Sequence, residues 1–243
     1  MKIRDISRVF RFFRAFGANP LPSSQKFPSR ALRALRHIEP SRTYTVALQT
    51  MVFCAAEPKK DLVLIRRNAK WLEQTQIKSG DKNGSWSYGR RRPKSKPGED
   101  GDNSNSQFAI LALHEAERVG IEVSDATWQR AARYWQRAQN ADGSWGYIAS
   151  GHRAGAGTGS MTCAGIAGLI ITADKITRGD ASVNEDRVSC CGEKQENREL
   201  DRALAWLGRS FSVHRNPGSH GSGATWLYYY LYGLERAGRL TAR

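Results

Sequence analysis

Gln139-Asn140-Ala141-Asp142-Gly143-Ser144-Trp145 sets a glutamine, a glycine four residues on and a tryptophan two beyond that. A second Gly-Ser-Trp stands at Gly84-Ser85-Trp86, and each follows a helix-like stretch. An aromatic turn that recurs after similar helices marks an internal repeat, here about 60 residues long, which is room for two helices and their connections. Glycine lets the backbone bend sharply, the tryptophan folds back over the helix end and buries a large ring, and the glutamine amide meets backbone groups left open at a helix terminus. Trp86 and Trp145 are therefore read as packing residues.

Laying segments over one another extends the repeat. Residues 104–120 match 222–238 without gaps, each running from a serine suited to an N-cap to Glu-Arg-x-Gly, whose glycine suits a left-handed helix end. Residues 160–169 fit the same frame, as does 43–56 more loosely. Between these A helices lie B helices at 60–76, 124–139 and 198–211, each carrying a tryptophan, Trp71, Trp135 and Trp206 (with Trp128 also in the second), and with Arg or Lys on the remaining faces. The B pattern is amphipathic, whereas Cys163-Ala164-Gly165-Ile166-Ala167-Gly168-Leu169-Ile170-Ile171 is apolar or small all round. A segment of the second kind is covered on both sides. The spacing predicts an all-α protein in two layers, A helices inside and B helices outside, stacked pair after pair with Trp71, Trp135 and Trp206 at equivalent places.

Helix pairs joined by a Gln-x-x-x-Gly-x-Trp turn resemble the repeats of squalene-hopene and other triterpene cyclases and, more distantly, the beta subunits of protein prenyltransferases. The resemblance covers roughly residues 42–243, with the full turn spacing met only at 139–145. Around Trp86 the glutamine is displaced, Gln76 lying further upstream, and after Trp206 the turn 213–221 has no tryptophan. The resemblance implies an α/α toroid, an inner ring of helices within an outer ring around a central cavity. Four A and three B helices make only part of such a ring, so the expectation is a partial toroid, incomplete at its C-terminal end and open at one helical edge. That edge calls for a longer chain, a protein partner or a second copy of this chain.

Composition bounds the rest. At 243 residues and 40% hydrophobic content the chain can bury one sizeable core. No apolar run approaches the ~20 residues of a membrane-spanning helix. Four cysteines form no disulfide framework: Cys54 and Cys163 fall on A helices as small packers, and Cys190-Cys191 lie in a polar loop. A reducing, cytoplasmic setting follows, with a peripheral place at a membrane as the variant. Residues 1–43 carry ten Lys or Arg against Asp5 and Glu39, which is +8 of the net +15. Residues 1–41 are accordingly read as a basic, flexible segment ahead of a repeat domain at 42–243, with Pro20, Pro22 and Pro28 as linker. Within it, residues 1–16 are suited to a basic amphipathic helix on an anionic membrane surface. The basic run at 90–96 lacks interleaved aromatics and reads as a solvated connection, so nucleic acid is not an expected partner.

Chemistry concentrates at the end of that connection. Asp100-Gly101-Asp102-Asn103 resembles the Asp-x-Asp-Asp motif with which cyclases protonate an alkene, with asparagine in place of the last aspartate. The resemblance makes Asp100 and Asp102 the catalytic candidates, since a paired or hydrogen-bonded carboxyl is one way to tune a strong acid. The residues alone give a plainer role, Asp102 or Ser104 as helix cap. The zinc set of the prenyltransferases, an aspartate, a cysteine and a histidine, is not recognisable, and neither a metal nor a cofactor is expected. A-helix aromatics would line any cavity: Phe108, Trp226 at the matched position, and Tyr228, suited to an isoprenoid-like hydrophobic ligand. The expected function is a squalene-cyclase-like or prenyltransferase-like repeat protein holding such a ligand without turning it over. A non-catalytic binding or interaction module is the alternative.

Overall fold

The computed structural model describes residues 29–89, 101–148, 155–177, 182–184, 187–189, 197–219 and 225–241. Among them lie eight helices: α1 Ser29–Arg36, α2 Thr43–Ala56, α3 Pro58–Thr75, α4 Asn103–Arg118, α5 Asp125–Arg137, α6 Gly159–Thr177, α7 Arg198–Ser210 and α8 Leu227–Thr241. One short antiparallel pair, β1 Ser182–Asn184 with β2 Arg187–Ser189, links α6 to α7. The fold is all-α. The readings for 1–28, for the basic run at 90–96 and for Cys190 and Cys191 fall outside the described residues.

The A helices pack on one another in chain order, α2 on α4, α4 on α6 and α6 on α8, while α3 leans on α2 and α4, and α5 and α7 lean on α6. This two-layer arrangement follows from composition. In α4 every residue from Asn103 to His114 is buried, whereas α5 buries Thr127, Trp128, Ala131, Ala132, Tyr134 and Trp135 and turns Arg133 and Arg137 to solvent. Small residues let the layers approach. A Cβ at Gly165 would run into the Trp145 ring and one at Gly168 would lie 2.5 Å from Trp135 Nε1, so both tryptophans seat on α6 through glycine. Among the described residues no helix is long and apolar enough to cross a membrane.

The contacts between repeats recur residue for residue. Gln139 Nε2 donates to the carbonyls of Gly143 (3.0 Å) and Glu199 (2.7 Å), and Arg202 Nη2 donates to its Oε1 at 2.5 Å. Gln76 does the same one repeat earlier, donating to Gly84 (3.3 Å) and Thr127 (3.1 Å) and accepting from Arg130 Nε at 2.7 Å. The glutamine that looked displaced is in register. Ile77 N–H bonds the Ser85 carbonyl just as Asn140 N–H bonds that of Ser144, and the extra residues loop out between these fixed ends. Gly84 (φ +100°) and Gly143 (φ +93°) then each pass against the backbone of the next outer helix, at Arg130 and Arg202, where a side chain has no room.

Three sequence expectations need correction. Trp86 Nε1 donates to the Leu72 carbonyl (2.7 Å) and Trp145 Nε1 to that of Trp135 (3.1 Å), so Trp135 is the equivalent of Leu72. Trp71 and Trp206 therefore correspond to Tyr134, one position away from the expected register. The domain boundary at 41 also moves. Helix α1 belongs to the fold: Leu32 is buried, Arg36 Nε bonds buried Asp61 at 2.6 Å and Arg36 Nη2 pairs with Glu57 at 2.5 Å, and Gln49 Nε2 donates to the carbonyls of Leu35 and Ile38. Finally, Gly120 (φ +89°) ends α4 in the left-handed conformation, but Gly238 lies inside α8, which runs on to Thr241.

Candidate functional site

The start of α4 is polar and buried at once. Asp102, Asn103, Ser104, Asn105, Ser106 and Gln107 are each 5% exposed or less. A buried polar group needs a partner, and the partners here draw three repeats together. Asn103 accepts from Tyr134 O–H at 2.7 Å and donates to the Gly146 carbonyl at 2.7 Å. Ser106 Oγ donates to the Asp102 carbonyl and accepts from Trp86 N–H, while Gln107 Oε1 accepts from Tyr229 O–H at 2.6 Å.

Asp102 is the N-cap of α4. Its Oδ1 accepts from the Asn105 amide (2.8 Å) and the Ser104 hydroxyl (2.6 Å), and its Oδ2 accepts from Asn105 Nδ2 (2.7 Å). Both carboxylate oxygens are thus engaged by donors of the helix's own first turn. Ser104 sits within α4 as one of those donors, so the capping position falls to the aspartate. Asp100, the other catalytic candidate, lies outside the described residues.

Around this end stand tyrosines that the sequence reading did not single out. Tyr88 and Tyr147 each follow a repeat tryptophan by two residues, and their hydroxyls meet at 2.8 Å. Their backbones clamp the inner helices: Thr43 N–H bonds the Tyr88 carbonyl and Asn103 N–H that of Tyr147. Tyr44 lies 6.0 Å from Tyr88 and 4.7 Å from Phe108, ring centre to ring centre. Phe108 in turn stacks with Tyr229 (6.2 Å, 16°) and Tyr232 (5.9 Å, 8°) of α8. Phe108 is therefore the hub of an aromatic group that joins α2, α4 and α8. A repeated Gly-Ser-Trp-x-Tyr at 84–88 and 143–147 was the available signal for the tyrosine pair.

The other two ligand candidates are elsewhere. Trp226 precedes α8 with a left-handed backbone (φ +59°) and is 69% exposed; Tyr228 is 87% exposed. The gap-free match that paired Trp226 with Phe108 fails at the helix start, because α8 begins only at Leu227. Tyr229 and Tyr232 are the residues of α8 that reach Phe108.

Electrostatically the site is a set of neutral hydroxyls over one engaged carboxylate. Burial raises the Tyr147 phenol above its ordinary range, helped by the Tyr88 hydroxyl and the Asp102 charge. Burial does the same at Tyr229 and Tyr44, again with Asp102 contributing. Lys82 is buried close enough to Asp102 and Asp81 to feel both charges, and burial pulls its ammonium below the usual lysine range. The arrangement offers aromatic faces, hydroxyl donors and a fixed dipole. Among the described residues no cluster of three or more His, Cys, Asp or Glu side chains is placed to hold a metal. No protein-family model, curated protein or solved structure matches the chain.

Proposed function

We propose that this chain is a binding module of the squalene-cyclase-like or prenyltransferase-like α/α-toroid type, a partial ring that holds an isoprenoid-like hydrophobic ligand without cyclising or transferring it. One observation carries the reading: Tyr44, Phe108, Tyr229 and Tyr232 form an aromatic wall that continues into the hydroxyl pair of Tyr88 and Tyr147. Aromatic faces suit a polyunsaturated chain, and neutral hydroxyls suit its oxygen end. Asp102 supports the non-catalytic side of the reading, since an oxygen that accepts two hydrogen bonds inside its own helix turn is not aimed at a substrate double bond.

The test is binding of a long-chain isoprenoid alcohol followed by tryptophan fluorescence, with Tyr147→Phe and Phe108→Ala as variants. Saturable binding weakened in both, with no product from squalene or from prenyl diphosphates with zinc and a thiol peptide, is the expected result. A product abolished by Asp102→Asn would make Asp102 the acid and end the binding-only reading. A second reading rests on Trp226 and Tyr228, which expose large aromatic surface beside α8. It takes that edge as the seat of a protein partner or a second copy, and a monomer whose mass and self-association are unchanged by Trp226→Ser with Tyr228→Ser would count against it.

A further inference from the structure

Charge is segregated by layer. The helices α1, α3, α5 and α7 carry net charges of +3, +3, +2 and +1, whereas the inner helices α2, α4, α6 and α8 carry 0, −1, 0 and +1. On α3 the excess forms a row. Lys59, Arg66 and Lys70 are exposed at i, i+7 and i+11, along about 16 Å of one helix face. Val63 lies among them, 77% exposed.

These cations are not there to neutralise local acids. Asp61 is taken by Arg36, Glu57 by Arg36 and Lys60, and Glu73 accepts from Ser124 and Thr127. Lys59, Arg66 and Lys70 have no carboxylate partner among the described residues. The interior has no use for such a row, and its mutual repulsion weakens the folded state unless an external anion answers it.

We infer that the outer face of α3 is a docking surface for an anionic phospholipid membrane. A bilayer matches three features at once: an extended negative surface for cations in a row along α3, headgroup depth for long Lys and Arg side chains, and an apolar boundary for Val63. A nucleic acid would answer the charge alone. It would leave Val63 without a role, and the stripe offers no exposed aromatic ring for stacking bases.

The experiment is co-sedimentation of the full chain with phosphatidylcholine vesicles containing phosphatidylserine, against phosphatidylcholine alone. Lys59→Gln with Arg66→Gln and Lys70→Gln should lower partitioning on the order of a hundredfold, at about fivefold per cation. Arg209→Gln with Arg215→Gln and Arg239→Gln removes the same charge away from this face and should cost less than about fivefold in total. All six sites are exposed, so circular dichroism should be unchanged in both variants. Equal losses in the two variants would reduce the effect to net charge and overturn the proposal. So would unchanged partitioning in the first, or duplex DNA that binds more tightly and displaces the vesicles.

Discussion

Replacing Gln76 with alanine should destabilise the protein by about 4 kcal/mol, more than the same change at Gln139. Gln76 makes two neutral hydrogen bonds, to the carbonyls of Gly84 and Thr127, worth about 1 kcal/mol each, and one charge-assisted bond from Arg130 at about 2 kcal/mol. It is 3% exposed, so the groups it leaves behind stay dry. Gln139 makes the same three bonds but is half-buried, and Arg202 is exposed, so water replaces part of what is lost and the cost falls to about 2 kcal/mol. Chemical unfolding followed at 222 nm reads both. For a chain of this length the Gln76 change corresponds to a fall in Tm of roughly 10 °C. A double-mutant cycle with Arg130→Met should return a coupling of about 1.5 kcal/mol. The reasoning fails if Gln76→Ala costs under about 1 kcal/mol, or less than Gln139→Ala, because the turn would then not be the joint between repeats.

Three further outcomes follow from the same contacts. Gly143→Ala should cost about 3 kcal/mol, since a left-handed backbone meets a Cβ 2.5 Å from the Arg202 carbonyl; Gly120→Ala, left-handed but in open space, should cost only about 1 kcal/mol, and equal unfolding midpoints would refute the steric part. Asp102→Asn should lower stability by less than about 1 kcal/mol because asparagine also caps, while Asp102→Ala, which strands Ser104 and Asn105, should lose about 3 kcal/mol. Cys54, pushed up to about 12 by burial and the nearby Glu115, and Cys163, raised by burial alone, should resist iodoacetamide in the native state; peptide mapping that finds either alkylated before unfolding would contradict their burial.

The helices were legible because each kind carries its own pattern: Thr43–Ala56 begins and ends where the even, apolar composition begins and ends. Register was harder to read. Tryptophan is the most conspicuous residue of each outer helix, yet the turn selects a position by its carbonyl, which Trp86 and Trp145 seek at Leu72 and Trp135 whatever their side chains. Leu72, Trp135 and Leu207 occupy the fully buried position, and a leucine at two of three repeats hides it from an eye counting tryptophans. Gln76 was hidden differently. A loop closed on itself by Gly84 N–H to the Ile77 carbonyl lengthens the sequence spacing and leaves the spatial one unchanged. Helix α1 was lost to composition, since Arg30, Arg33 and Arg36 resemble the basic stretch before them, and only the partner of Arg36, Asp61, makes one of them structural.

The third turn shows what this repeat can give up. No glutamine, Gly-Ser or tryptophan stands at the matching positions 211–217, the left-handed Gly218 (φ +73°) and Ser219 coming later in the turn, yet α6 is held at its start as α2 and α4 are: Gly159 N–H bonds the Pro217 carbonyl, as Thr43 and Asn103 bond those of Tyr88 and Tyr147. Asn216 supplies the missing purchase, accepting from Ser160 N–H at 2.9 Å and donating to its hydroxyl at 3.1 Å. The clamp on the inner helix therefore survives the loss of the motif, whereas the seat for a further outer helix, made by a glutamine in the two earlier turns, does not. With proline in place of the third tyrosine, the hydroxyl rim belongs to the first two turns only. The candidate site is accordingly asymmetric within the repeat array, centred on α4, where both tyrosine turns and the aromatic face of α8 converge on Phe108 and Gln107.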